Sequence, residues 1–161
     1  MATTVTASTL SVTVSEKITL NGVSRNGSTT LSVGSIKEIS NRIIEVTNAT
    51  HGTDLLEVAA TAAEVGPGKY AKTDVKYLRI TNLDDTNFVT LMFTDGDGQG
   101  SGSHHWNLKL EAGKSLLLGD LSSVDSVSDI DSSVASLVAI AKILAKADTA
   151  AVDVELYVAS T

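Results

Sequence analysis

At 161 residues, with a formal net charge of −7, 42% hydrophobic and 19% charged residues, the chain has the length and apolar content of one ordinary folded domain. That composition excludes a wholly disordered chain, and the absence of cysteine excludes a disulfide framework, a thiolate nucleophile and a Cys-based zinc site. The acidic balance and dispersed basic residues argue against a nucleic-acid partner, and no run of 18 apolar residues is present to span a membrane as a helix.

Aromatic residues are only 4%, so the core falls to Val, Ile, Leu and Ala. The first twenty residues carry no basic residue before Lys17 and no continuous apolar stretch, unlike a secretory signal, which also discounts the acceptor-like triplet Asn48-Ala49-Thr50. Residues 1–15 are polar and extended, and we expect them to form an N-terminal arm reaching a neighbouring subunit, with residues 16–161 forming the folded domain. Within Val5–Val14 apolar residues recur at near-alternate positions, as on a half-buried strand. Asn21-Gly22 and Asn26-Gly27 are candidates for tight turns that need positive φ.

Further along, Arg42–Thr47 and Leu55–Ala59 flank a polar turn and read as a hairpin. Gly66-Pro67-Gly68 breaks the pattern, after which Val75–Thr81 and Phe88–Phe93 alternate on either side of the polar turn 82–87. Asp95–Ser103 (DGDGQGSGS) is a glycine-rich loop. Trp106, Leu108 and Leu110 alternate, turn at Glu111–Lys114 and continue into Ser115–Leu118, which reads as a second hairpin; Trp106 is expected in the core. Asp120–Ser133 reads as loop. Leu137–Ala145 fits both helical and alternating spacing and is assigned to strand; Val152, Val154, Leu156 and Val158 alternate cleanly in the last one. Eight to ten strands at short spacing, with no internal repeat, predict an all-β domain, an antiparallel β-sandwich of jelly-roll type.

No constellation for catalysis or a cofactor is complete. Asp95 and Asp97 begin like a calcium loop, with Gln99 and Gly100 at the fifth and sixth positions, but the twelfth is Trp106 where a bidentate Glu is needed. His104 and His105 are adjacent and point to opposite faces of a strand, and His51 lies in a separate turn, so no shared metal is expected. Asp84-Asp85 and Asp153 with Glu155 are paired carboxylates without an aromatic cluster to hold a sugar. No G-x-S-x-G elbow or P-loop ending exists, and Lys69, Lys72, Lys76 and Arg79 are read as a solvated face. The chain is therefore expected not to be an enzyme and to need no cofactor.

Val75–Val89, K-Y-L-R-I-T-N-L-D at its centre, resembles segments of small virion proteins of tailed bacteriophages. Leu108–Ser115 (L-K-L-x-A-G-K-S) and Ala145–Glu155 (A-K-A-D-T-A-A-V-D-V-E) extend the resemblance over roughly residues 75–158. What it implies is a non-enzymatic capsid decoration (cement) protein located in the virion, partnered by itself as a homo-oligomer and by the major capsid protein. The competing expectation is a receptor- or glycan-binding module of a phage tail or fibre, for which Trp106 is the candidate platform.

Overall fold

The computed structural model describes residues 4–59, 69–71, 73–95, 104–119, 126–127 and 138–161, and these form strands and connecting turns with no helix among them. Two sheets pack face to face. The first runs β10 (His105–Leu110), β9 (Val89–Thr94), β14 (Lys142–Ala147), β6 (Thr53–Ala59) and β7 (Lys69–Ala71); the second runs β11 (Ser115–Leu118), β8 (Val75–Asn82), β15 (Val152–Ser160) and β5 (Glu38–Val46). All neighbours within them are antiparallel except the short β6–β7 pair. A β-sandwich is the result, as the patterning predicts.

Alternation in the sequence explains the layers, because successive strand side chains point to opposite faces. In β15, Val152, Val154, Leu156 and Val158 are buried in the core while Asp153 and Glu155 lie on the outer face. Leu78 and Ile80 of β8, Val89, Leu91 and Phe93 of β9, and Ile143 and Ala145 of β14 fill the same core. Each Val, Leu, Ile or Phe side chain among them contributes about 1.5–3 kcal/mol by leaving water. Strand β14 also shows why its segment looks ambiguous as sequence. Leu144, on the face away from the core, is buried as well, under the turn around Gly52. Two covered faces place apolar residues at consecutive positions, which mimics helical spacing.

Gly52 holds that turn against β14 with φ of 70°, and an added Cβ would lie 2.7 Å from the Ala145 carbonyl oxygen. Both the left-handed backbone and the contact exclude a side chain. Gly52→Ala is expected to lower the unfolding free energy by about 1–3 kcal/mol, measured by urea denaturation.

The connections differ from the sequence expectation in one systematic way. The segments read as the hairpins β5/β6 and β10/β11 cross from one sheet to the other, as do β8/β9 and β14/β15. Glu111–Lys114 closes as a turn in which Lys114 N–H donates to the Glu111 carbonyl at 3.1 Å, with Gly113 at φ 68°, yet the strands it joins pair with β9 and β8 and not with each other. Among the described residues, only β9 and β10 pair antiparallel as chain neighbours within the sandwich. Arg42 of β5 ties the open side of the sandwich, its Nη2 donating to the Leu55 carbonyl of β6 at 2.6 Å.

The N-terminal segment is the larger revision. Residues 1–15 were expected to be a single extended arm; instead β1 (Ser8–Glu16) pairs along its length with β4 (Gly27–Ile36), so the arm is a hairpin running to Ile36, and the sandwich strands begin at Glu38. Its tip is the small pair β2 (Thr19–Leu20) and β3 (Val23–Ser24) around Asn21 (φ 50°) and Gly22 (φ 77°), the two positive φ values of the tight turn expected there. Asn26-Gly27 is not a second such turn: Gly27 opens β4, and the Asn26 carbonyl Oδ1 accepts from Ile18 N–H at 3.1 Å. A last pair, β12 (Ser126–Val127) with β13 (Val138–Ala139), lies partly within the stretch expected as loop. Gly66-Pro67-Gly68 and residues 96–103 lie outside the described residues.

Candidate interaction surfaces

Two surfaces stand outside the sandwich core. The first is the hairpin arm, whose two faces differ chemically. Ser11, Thr13 and Ser15 oppose Ser32, Thr30 and Ser28, forming a ladder of hydroxyls in which Thr13 and Thr30 approach to 3.0 Å and Ser15 and Ser28 to 3.3 Å. The other face carries Leu10, Val12 and Val14 beside Val33 and Leu31. Its root packs on the second sheet: Leu10, Val12 and Val33 meet a small cluster of Ile36, Tyr77, Ala159 and Tyr157. Farther out, Val14, Thr29 and Leu31 overhang a groove of about 170 Å³ floored by Tyr77, Leu117 and Leu118. The tip beyond it is solvated, with Ile18, Leu20 and Val23 all more than half exposed, and carries Lys17 and Arg25.

The second surface is the outer face of the β11-β8-β15-β5 sheet. Arg79 Nη2 donates to Glu155 Oε2 at 2.6 Å, its guanidinium lies 5.5 Å over the Tyr157 ring, and Tyr157 meets Tyr77 edge-on at 6.1 Å. Burial pushes the Tyr77 phenol above its ordinary pKa, opposed by the nearby Arg79 charge. Toward β5 the face becomes apolar and acidic. Ile43 is 64% exposed, and next to it Glu45, Leu83, Asp84, Ala151 and Asp153 line a concavity of about 240 Å³. Glu45 and Asp153 are register partners.

Asp84 shapes that concavity. Its Oδ1 accepts from Thr86 N–H at 2.7 Å and Asn87 N–H at 2.6 Å, and these two backbone donors hold its carboxyl below the ordinary pKa of an aspartate. A depressed pKa in the folded state means that the stabilisation is present above the unfolded value, near 4, and is lost as the pH falls through the folded one. Asp84→Asn is therefore expected to lower stability at neutral pH, where the carboxylate's contribution is present, and to flatten the acid limb below about pH 4, where variant and wild type converge, read from melting temperature against pH.

The residues singled out from the sequence are dispersed. Asp95 is occupied by His104: its Oδ1 accepts from His104 N–H at 2.9 Å and its Oδ2 lies 2.8 Å from His104 Nδ1, which closes the mouth of the loop between β9 and β10. Asp97, the other oxygen of the calcium reading, lies outside the described residues. Among the described residues no group of three or more His, Asp and Glu is placed to hold a metal. His105 is exposed at the start of β10, and His51 borders a separate cavity of about 220 Å³ with Thr90, Asn107 and Lys146.

Asp153 and Glu155 share the outer face of β15, as alternation requires, but Glu155 is committed to Arg79. The basic residues do not gather: Lys69 pairs with Glu57 on the first sheet, Arg79 sits on the second, and Lys72 lies outside the described residues. Trp106 corrects the expectation of a core position. It packs on Phe93 with ring centroids 5.0 Å apart, yet 46% of it remains exposed, because β10 is an edge strand whose core-side residues grow more exposed from Leu110 through Leu108 to Trp106.

What sequence reading missed is the exposure of the arm tip and of Ile43. Both sit in ordinary strand patterns, and the only local signal was an Asn-Gly turn flanked by a short apolar pair, too short to be a core hairpin. Comparison with family models, curated proteins and solved structures finds no match to the chain.

Proposed function

We propose that this chain is a non-enzymatic structural protein of a tailed-phage particle, a decoration protein that binds the capsid and other copies of itself. One observation carries the reading: a sandwich core holds up a hairpin arm whose apolar tip faces solvent and packs on no other element among the described residues. Exposed apolar groups on a rigid protrusion mark a contact surface. The resemblance of residues 75–158 to small virion proteins supports the same assignment. With β7 set aside as a short addition, the sandwich strands numbered in chain order run 1-8-3-6 and 2-7-4-5, which supports a jelly-roll topology.

Quantitative mass spectrometry of purified particles tests the proposal. The expected result is a copy number in fixed proportion to the major capsid protein; absence from heads, or a few copies at the tail tip, overturns it. The latter outcome would favour a receptor- or glycan-binding module, a reading to which the half-exposed Trp106 ring lends a stacking surface. For that module, binding on a glycan array should be lost in Trp106→Ala.

A further inference from the structure

We infer that the hairpin tip of one copy docks on the outer face of a second copy at the β5 margin, with Ile18, Leu20 and Val23 set against Ile43 and Leu83 and with Lys17 and Arg25 reaching the carboxylates of Glu45 and Asp153. The inference rests on the self-association part of the proposed function and not on attachment to a particle.

Three observations carry it. First, the two patches match in chemistry. The tip is apolar with two cations; the receiving patch has Ile43 and Leu83 exposed beside a concavity walled by Glu45, Asp84 and Asp153. Second, the charges are unspent. No ion pair among the described residues involves Lys17, Arg25, Glu45 or Asp153, whereas Arg79, Lys69, Lys109 and Lys142 all have carboxylate partners. In a chain of net charge −7, a protruding cationic tip is the element an acidic face of another copy would attract.

Third, the geometry points the two patches apart. From its root on Tyr77 and Ala159 the arm crosses toward Leu117, Leu118 and Gly119 of the β11 side, while Ile43 and Glu45 lie on β5 at the opposite margin. Four strands at about 4.8 Å spacing separate these margins by roughly 14 Å, and the tip leaves in the direction away from β5. A chain cannot fill its own acceptor, so the contact is head-to-tail between copies. Such a heterologous contact closes into a ring or continues as an open array.

Sedimentation velocity on the full chain over a concentration series tests this. The expected result is association of the wild-type protein, with Leu20→Asp and Ile43→Asp each sedimenting as single chains. Lys17→Glu/Arg25→Glu and Glu45→Lys/Asp153→Lys are each expected to weaken association by about tenfold or more, and mixing these two oppositely charged variants is expected to restore it. A wild type that remains a single chain at every concentration overturns the inference, as does association that survives Leu20→Asp or Ile43→Asp, or a mixture no stronger than its components. Circular dichroism melts identify any variant that fails to fold, and Leu20→Ser and Ile43→Ser then replace the Asp variants. The protein is isolated in these experiments, so a negative result leaves the particle copy number to judge the decoration reading independently.

Discussion

Phe93→Ala is expected to lower the unfolding free energy by about 3–5 kcal/mol. Phe93 is fully buried and is the largest fully buried side chain among the described residues, on a strand flanked on both sides by β10 and β14. Removing the ring takes away its transfer free energy and leaves a cavity bounded by strands whose hydrogen-bonded backbones cannot collapse to fill it. At about 2–4 °C of melting temperature per kcal/mol for a domain of this size, the loss should read as roughly 6–20 °C. The ring also carries Trp106, the only tryptophan of the chain. Its fluorescence should shift to the red in the folded variant, so one set of equilibrium denaturation curves monitored by Trp106 checks both effects. A loss below about 1.5 kcal/mol would mean that the core repacks around the gap.

Asn82→Leu is expected to cost about 3 kcal/mol although it replaces a polar side chain with an apolar one of the same branching. Asn82 is completely buried at the end of β8. Its Nδ2 donates to the carbonyls of Asn87 at 2.9 Å and Leu110 at 3.2 Å, and its Oδ1 accepts from Asp84 N–H at 3.0 Å. One side chain thus ties the β8–β9 connection to the end of β10, joining the two sheets where the chain crosses between them. Leucine would leave the Leu110 carbonyl buried without its donor. Asn82→Asp should be at least as damaging at neutral pH, since a carboxylate would face two carbonyl oxygens. Urea denaturation ranks the three proteins, and an Asn82→Leu variant as stable as the wild type would show that water replaces the amide.

These effects bear on how much of the molecule its sequence reveals. Val152–Val158 and Val75–Ile80 announce their strands through alternation, because one face is packed and the other solvated. Alternation says nothing about which sheet receives the next strand. Asn48–Asp54 and Glu111–Lys114 look like hairpin turns by composition, yet each carries the chain across the core; a Gly at positive φ serves either purpose. The choice is made by partners far away in sequence, such as β15 inserting between β5 and β8. Asn21-Gly22 is the contrasting case, where both positive φ values are local demands and the residues declare them.

The interaction surfaces were less legible for a related reason. Ile18, Leu20 and Ile43 carry the same apolar signal as core residues, and only the absence of a covering element distinguishes them. Trp106 misleads in the same manner, since its pattern matches Leu108 and Leu110 while its place at the end of an edge strand leaves the ring half in water. Asp95 was visible as an acidic loop residue, but its engagement by both the backbone and the ring of His104 depends on the two ends of the loop meeting.

The position of β15 sets the order in which the domain can be built. It is the last strand of the sandwich in sequence, and it pairs with β5 along Glu38–Val46 and with β8 along Val75–Asn82, so it forms the middle of the sheet that those two strands share. Until residues 152–160 leave the ribosome, β5 and β8 have no common neighbour, and the strand edges that β15 pairs with stay open. Assembly must then wait for synthesis to pass this point, and it must close loops of about one hundred residues, which makes for slow, late, concerted folding. During that interval the unpaired edges of β5 and β8 are the surfaces open to pairing with other chains.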